Sequence, residues 1–179
     1  MAQELVWLDL EMTGLDPKRH SIIEIATIIT DSKLNVLAEG PDLVIHAHDK
    51  ILERMNDYVH EMHHRSGLLD QVRESKISIE EAEIQTLDFL EEHLGTKYSP
   101  PLCGNSIGTD RRFLDAQMNT LERRLHYRVV DVSSIKELAM RWNPEIDAIM
   151  PPKMETHRAL DDIIESIEEL KFYRKHLFK

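Results

Sequence analysis

Residues 4–11 read E-L-V-W-L-D-L-E, an apolar run broken at alternate positions by Asp9 and Glu11. A run that is apolar on both faces belongs in the middle of a sheet covered on both sides. Side chains alternate across a strand, so both carboxylates share one face. Two acids on one buried face are costly unless a cation compensates. The turn signal Thr13-Gly14-Leu15-Asp16-Pro17 follows, which puts the pair at a strand end, where α/β sheets often place ligands. Two readings stand: a site for hard divalent metal, or a strand end that has already emerged into water.

Strands come first along the chain. Residues 22–31 are β-branched and form a second strand, with shorter ones near 34–38 and 42–46, an antiparallel meander. Helical pieces follow from 51 to about 75, broken at Gly67. Ser78 and Glu81 make a capping box for a helix that ends at Gly95. A short buried strand at Leu102-Cys103 leads to Asn105. A helix over 110–121, a strand at Val129–Val132 and a helix near 134–142 come next. The last helix runs from about 157 to 175, with Leu160, Ile163, Ile164, Ile167 and Leu170 as its apolar stripe. Strands and then alternation predict an α/β layered domain over 1–179, with a mixed central sheet flanked by helices.

The charge balance narrows the function. With 33 acidic and 22 basic residues the formal net charge is −11, which argues against gripping long nucleic acid through many phosphates. A small nucleic-acid substrate remains compatible, since metals offset carboxylates locally. Arg111, Arg112, Arg123, Arg124 and Arg128 could hold one or two phosphates, or lie on solvated helix faces paired with acids. No apolar run approaches the roughly 20 residues of a bilayer span, so no membrane association is expected. The first residues carry no basic start and no cleavable apolar segment, so no secretion signal is expected. Cys103 is the only cysteine, which fits a reducing, cytoplasmic setting.

Other acids complete a constellation. Asp110 opens a helix after N-S-I-G-T, where an aspartate is also ordinary capping. H-R-A-L-D-D at 157–162 begins the last helix. Helical spacing would pair His157 with Asp161; five residues, as for Asp162, is not one face. If Asp162 is the functional acid, His157 lies in the loop before the helix. Periodicity leaves Asp161 and Asp162 both open.

Taken together, D-L-E-M-T-G-L at 9–15, N-S-I-G-T-D at 105–110 and H-R-A-L-D-D at 157–162 resemble the motifs of the DEDD exonuclease superfamily, in the subgroup whose third motif is H-x-A-x-x-D. The first motif's spelling and the chain length resemble the oligoribonuclease family; proofreading exonucleases usually have T-E-T-T-G there. The resemblance covers nearly the whole chain, including D-V-S-S-I-K-E-L-A at 131–139. It implies a ribonuclease H-like fold and a 3'-to-5' exoribonuclease that hydrolyses short single-stranded RNA, dinucleotides especially, to nucleoside 5'-monophosphates.

The same resemblance implies that Asp9, Glu11, Asp110 and Asp162 hold two Mg²⁺ or Mn²⁺ ions, with His157 as general base. Carboxylates suit such hard cations, and histidine titrates near neutrality. Met12 and Thr13 would approach the 3'-terminal ribose, and Leu15 and Tyr58 would flank the bases. Ser106, His63, Arg128, Ser133 and Ser134 would lie near the remaining phosphate. Tyr58 stands where the family more often has tryptophan; an aromatic ring can still stack on any base. The family is homodimeric, with Tyr127 and Arg128 of one subunit reaching the other's site.

Two rival classes deserve a test. His60-Glu61-Met62-His63-His64 matches H-E-x-x-H, the zinc protease pattern, in which His60 and His64 share a helix face and Glu61 is the base. It leaves the acidic motifs unexplained, and a solvated histidine-rich helix is the simpler account of the segment. A non-catalytic nucleotide-binding module would need a broken acid set, whereas all four acids and the histidine are present.

Overall fold

The computed structural model describes residues 4–152 and 156–178. Five strands form one mixed sheet: β1 (Leu5–Met12), β2 (Ile22–Thr30), β3 (Val36–Val44), β4 (Pro101–Gly104) and β5 (His126–Asp131), in the order β3-β2-β1-β4-β5. The first three are antiparallel neighbours, while β4 runs parallel to β1 and β5 parallel to β4. The two stretches expected at 34–38 and 42–46 are one strand, because Gly40 and Pro41 disturb its register against β2 without ending it.

The helices are α1 (Asp49–Leu52), α2 (Asp57–Arg65), α3 (Leu68–Glu74), α4 (Ile79–Leu94), α5 (Gly108–Gln117), α6 (Asn119–Arg124), α7 (Val132–Trp142), α8 (Pro144–Asp147) and α9 (Ala159–Leu177). The Ser78–Glu81 capping box starts α4, and Gly95 follows its end. The helix expected over 110–121 is two helices. The backbone leaves helical geometry at Met118 (φ −137, ψ 58), whose fully buried side chain joins the core as the chain turns.

Alternation along β1 assigns its residues to opposite layers. Val6, Leu8 and Leu10 pack with Ala82 and Leu90 of α4 and with Phe113 and Leu114 of α5. Trp7 faces the other way, with Ala26 and Ile28 of β2, Val132 and Ala139 of α7, and Ala159, Ile163 and Ile167 of α9. Each such large buried side chain stabilises the fold by roughly 1.5–3 kcal/mol. The Trp7 indole N–H is not left unpaired, since it donates to Thr30 Oγ1 at 3.0 Å. A smaller apolar cluster joins Ile23 to Leu52 of α1 and to Leu68, Leu69 and Val72 of α3. Asp9 and Glu11 follow Trp7 in alternation, so they face the α9 layer.

Candidate active site

The central strand delivers Asp9 and Glu11 to the α9 face, and α9 brings Asp162 from its first turn. One oxygen from each of these three carboxylates lies within 4.8 Å of the others. Asp161 does not join the group, so tertiary geometry separates the neighbouring acids that periodicity left open. Asp110 comes from the first turn of α5, is 5% exposed, and accepts a hydrogen bond from the Leu10 amide at 3.2 Å. That bond ties it to the residue between Asp9 and Glu11. His157 lies in the loop ahead of α9, in the left-handed region at φ +52. The five-residue spacing to Asp162 required that position.

The electrostatics are those of carboxylates crowded together in a buried place. Burial, then repulsion from Asp110, Glu11, Asp162 and Glu24, raises the Asp9 pKa well above the usual carboxylate range. Glu11 is pushed up to about 9 by burial, then by Asp162, Glu24 and Asp110. Asp110 is pushed up to about 7, chiefly by burial. Oxygen ligands of this density suit hard divalent ions, whose charge would remove the penalty. The residues therefore fit a divalent metal centre.

Two cavities flank α2 and share Tyr58 and Met62. One of ≈ 890 Å³ reaches His157 and Arg158; the other, ≈ 550 Å³, reaches Glu11, Met12 and Leu15. Both fall within the roughly 300–1,000 Å³ typical of ligand sites. Leu15 and Tyr58 are exposed there, at 70% and 74%. The turn carrying Leu15 closes through Thr13, whose amide donates to the Ser21 carbonyl and whose Oγ1 accepts from the Ser21 amide, each at 3.0 Å. Gly14 (φ +156) lies so close to the His20 ring that a Cβ would come within 2.6 Å of it.

The residues assigned to a phosphate separate into three places. Ser106 and Ser133 form one group: the Asp131 carboxylate accepts from both amides, at 3.1 and 3.0 Å, and the two hydroxyls are 3.2 Å apart. Asp131 thus caps α7, and exposed Ser134 follows in its first turn. Tyr127 and Arg128 lie on β5, one of the two edge strands, with the guanidinium 5.4 Å from the tyrosine ring centroid. His63 is fully enclosed. Its Nε2 meets the Met12 carbonyl at 2.9 Å and its Nδ1 is 3.8 Å from Glu11. Burial holds its pKa below the ordinary histidine value. These contacts make it a support of the β1 end; a direct phosphate contact by His63 has no support in this geometry.

Glu24 and Arg158 went unread in the sequence, although a lone glutamate in the apolar strand I-I-E-I-A-T-I-I-T was a signal, since a buried charge demands a partner. Glu24 is fully buried and its partner is Arg158. The H-E-x-x-H segment forms no metal group among the described residues. His60 and His64 are exposed and stack at 6.4 Å between centroids, while Glu61 pairs with Arg65 at 2.8 Å.

A family profile described as Exonuclease matches residues 6–170. The chain is similar to the oligoribonuclease of Vibrio parahaemolyticus, at 55% identity over 99% of this chain and 97% of that protein. The oligoribonuclease of Corynebacterium glutamicum is 54% identical, over 97% of this chain and 80% of the relative. Among solved structures, exonuclease I of Methylocaldum szegediense superposes with a TM-score of 0.73 at 19% identity, over 98% of this chain. The E. coli exonuclease I complex with single-stranded DNA gives 0.75 at 14%, over 99%. The chain spans only 41% of each of those exonuclease I chains, so they speak to the fold alone, which is ribonuclease H-like.

Proposed function

Because the chain belongs to the oligoribonuclease family of DEDD exonucleases, we propose how its acidic cleft performs the 3'-to-5' hydrolysis of short oligoribonucleotides. The chain is a metal-dependent exoribonuclease. The finer reading is a single domain over 1–179 whose preferred substrates are the shortest, dinucleotides, and whose products are nucleoside 5'-monophosphates. The convergence of Asp9, Glu11 and Asp162 within 4.8 Å supports the metal-dependent chemistry on which this reading is built.

In this reading Asp9, Glu11, Asp110 and Asp162 hold two Mg²⁺ or Mn²⁺ ions. When bound, such ions supply Lewis-acid activation of water and charge stabilisation at the leaving oxygen. His157 accepts the proton as a water oxygen bonds to the scissile phosphorus; the P–O3' bond breaks, and the leaving 3'-oxygen takes up a proton. Met12 borders the 3'-terminal ribose, with the fully buried Thr13 holding the turn behind it instead of meeting the ribose itself, and Leu15 and Tyr58 flank the bases in the cavities they line. Ser106, Ser133 and Ser134 offer hydroxyls to the remaining phosphate. Tyr127 and Arg128, exposed on the edge strand, would complete that end from a second subunit of a homodimer. A cytoplasmic setting agrees with a lone buried thiol, Cys103, whose pKa burial pushes far up.

The test is hydrolysis of labelled RNAs of two, four, seven and twenty nucleotides with Mg²⁺, Mn²⁺ or EDTA. Fastest metal-dependent conversion of the dinucleotide supports the reading. Fast cleavage of the 20-mer with a resistant dinucleotide overturns the substrate assignment. No cleavage of any RNA overturns the reading altogether.

A further inference from the structure

Glu24 lies on β2 opposite Glu11, on the floor of the acidic cluster, and is fully buried. Both its oxygens are committed to the segment that opens α9. Oε1 accepts from Arg158 Nε at 2.8 Å and Nη2 at 2.6 Å, and Oε2 accepts from the Ala159 amide at 3.0 Å. Arg158 Nη2 also donates to Gln71 Oε1 of α3 at 3.0 Å. The Arg158 carbonyl in turn accepts the Asp162 amide at 3.0 Å, which closes the first turn of the helix. Arg158 therefore stands covalently next to His157 and is hydrogen-bonded to Asp162, while its side chain is anchored to the sheet and to α3.

A purely structural role explains this poorly. A carboxylate here adds to the repulsion on Asp9 and Glu11, and buried ion pairs contribute little net stability compared with well-packed apolar residues. His157 adopts a left-handed backbone, which persists only where its surroundings over-determine it. The two charged hydrogen bonds from the Arg158 guanidinium to Glu24 Oε1 beside it supply that constraint.

We propose that Glu24 and Arg158 form a positioning clamp that sets His157 and Asp162 over Asp9 and Glu11 for attack on the phosphodiester. The clamp rests on the exonuclease reading above; its members act through His157 and Asp162, to which they are tied, and not as metal ligands or as the general base.

The test is dinucleotide hydrolysis at saturating Mn²⁺ by the full chain, as Glu24→Gln, Arg158→Met, the double variant and Arg158→Lys. Each of the first two loses roughly 10–100-fold in kcat, as misplaced catalytic groups do, with KM nearly unchanged. The double variant falls no further than the worse single one, because both remove the same clamp. Arg158→Lys recovers part of kcat through one remaining charged hydrogen bond. Wild-type kcat in both single variants overturns the clamp, as do losses that multiply in the double variant or a change confined to KM. If Glu24→Gln fails to fold, Arg158→Met, at a side chain 24% exposed, still decides the matter. An inactive wild-type chain would overturn the exonuclease reading itself, a result distinct from active wild type with indifferent variants.

Discussion

Glu11→Gln offers a quantitative test of the acidic cluster through stability. In the metal-free fold Glu11 is pushed up to about 9 from an ordinary 4.5. Between those values the folded chain keeps a proton on Glu11 that the unfolded chain has released. The folded state binds more protons there, so stability falls as pH rises across this window, and below about 4.5 the penalty vanishes. One proton corresponds to ~1.4 kcal/mol per pH unit, so the chain in EDTA loses about 3 kcal/mol from this residue between about pH 6 and pH 8. For a chain of this length that is on the order of 10 °C in Tm. Asp110, pushed up to about 7, adds loss of the same sign over the lower part of the range. Glutamine resembles the protonated glutamate, so Glu11→Gln removes the Glu11 contribution and leaves its neighbours' environment largely intact. Thermal melts in EDTA at about pH 6, 7 and 8 should show a shallower decline in the variant. Saturating Mn²⁺ should flatten the wild-type decline, since a bound cation favours the charged carboxylates. Parallel declines for wild type and variant in EDTA would refute the reasoning.

Asp162→Asn should abolish dinucleotide hydrolysis with the far-UV spectrum unchanged, whereas Asp161→Asn should keep most of the turnover; the reverse pattern would assign the metal ligand to the wrong neighbour. Tyr58→Ala should weaken dinucleotide binding by about 1–3 kcal/mol, read by titration in Ca²⁺ or EDTA, while Tyr58→Trp should hold or strengthen it. Equal affinities in the two variants would remove the stacking role. His60→Ala should leave RNA hydrolysis and purified metal content unchanged, because that ring is exposed and outside the acidic group; retained zinc lost on this substitution would restore the protease reading.

Asp9 and Glu11 were legible in the sequence because they break a local rule that needs no partner to be recognised, whereas Asp110 and Asp162 stood out only through the combined motifs. Two charges in an apolar strand share a face whatever the rest of the chain does, and alternation alone turned Asp9 and Glu11 to the same side as Trp7. The spacing from His157 to Asp162 placed the histidine in a loop before the helix on the condition that Asp162, and not Asp161, is the functional acid. The layered mixed sheet followed from the order of strands and helices. What periodicity could not supply were pairings between distant positions. Glu24 meets Arg158 across 134 positions, and Ser106 meets Asp131 across 25. Nothing in either local pattern names the other. The choice of Asp162 over Asp161, the enclosure of His63 beneath Met12 and the break at Met118 depended equally on what packs against each residue. By itself the sequence determined where charge is costly, through residue type and short-range geometry, and its combined motifs pointed to a family and that family's chemistry. Only the tertiary structure decided which side chains meet, because the hydrogen bonds and burial that select among them come from segments that meet only in the folded chain.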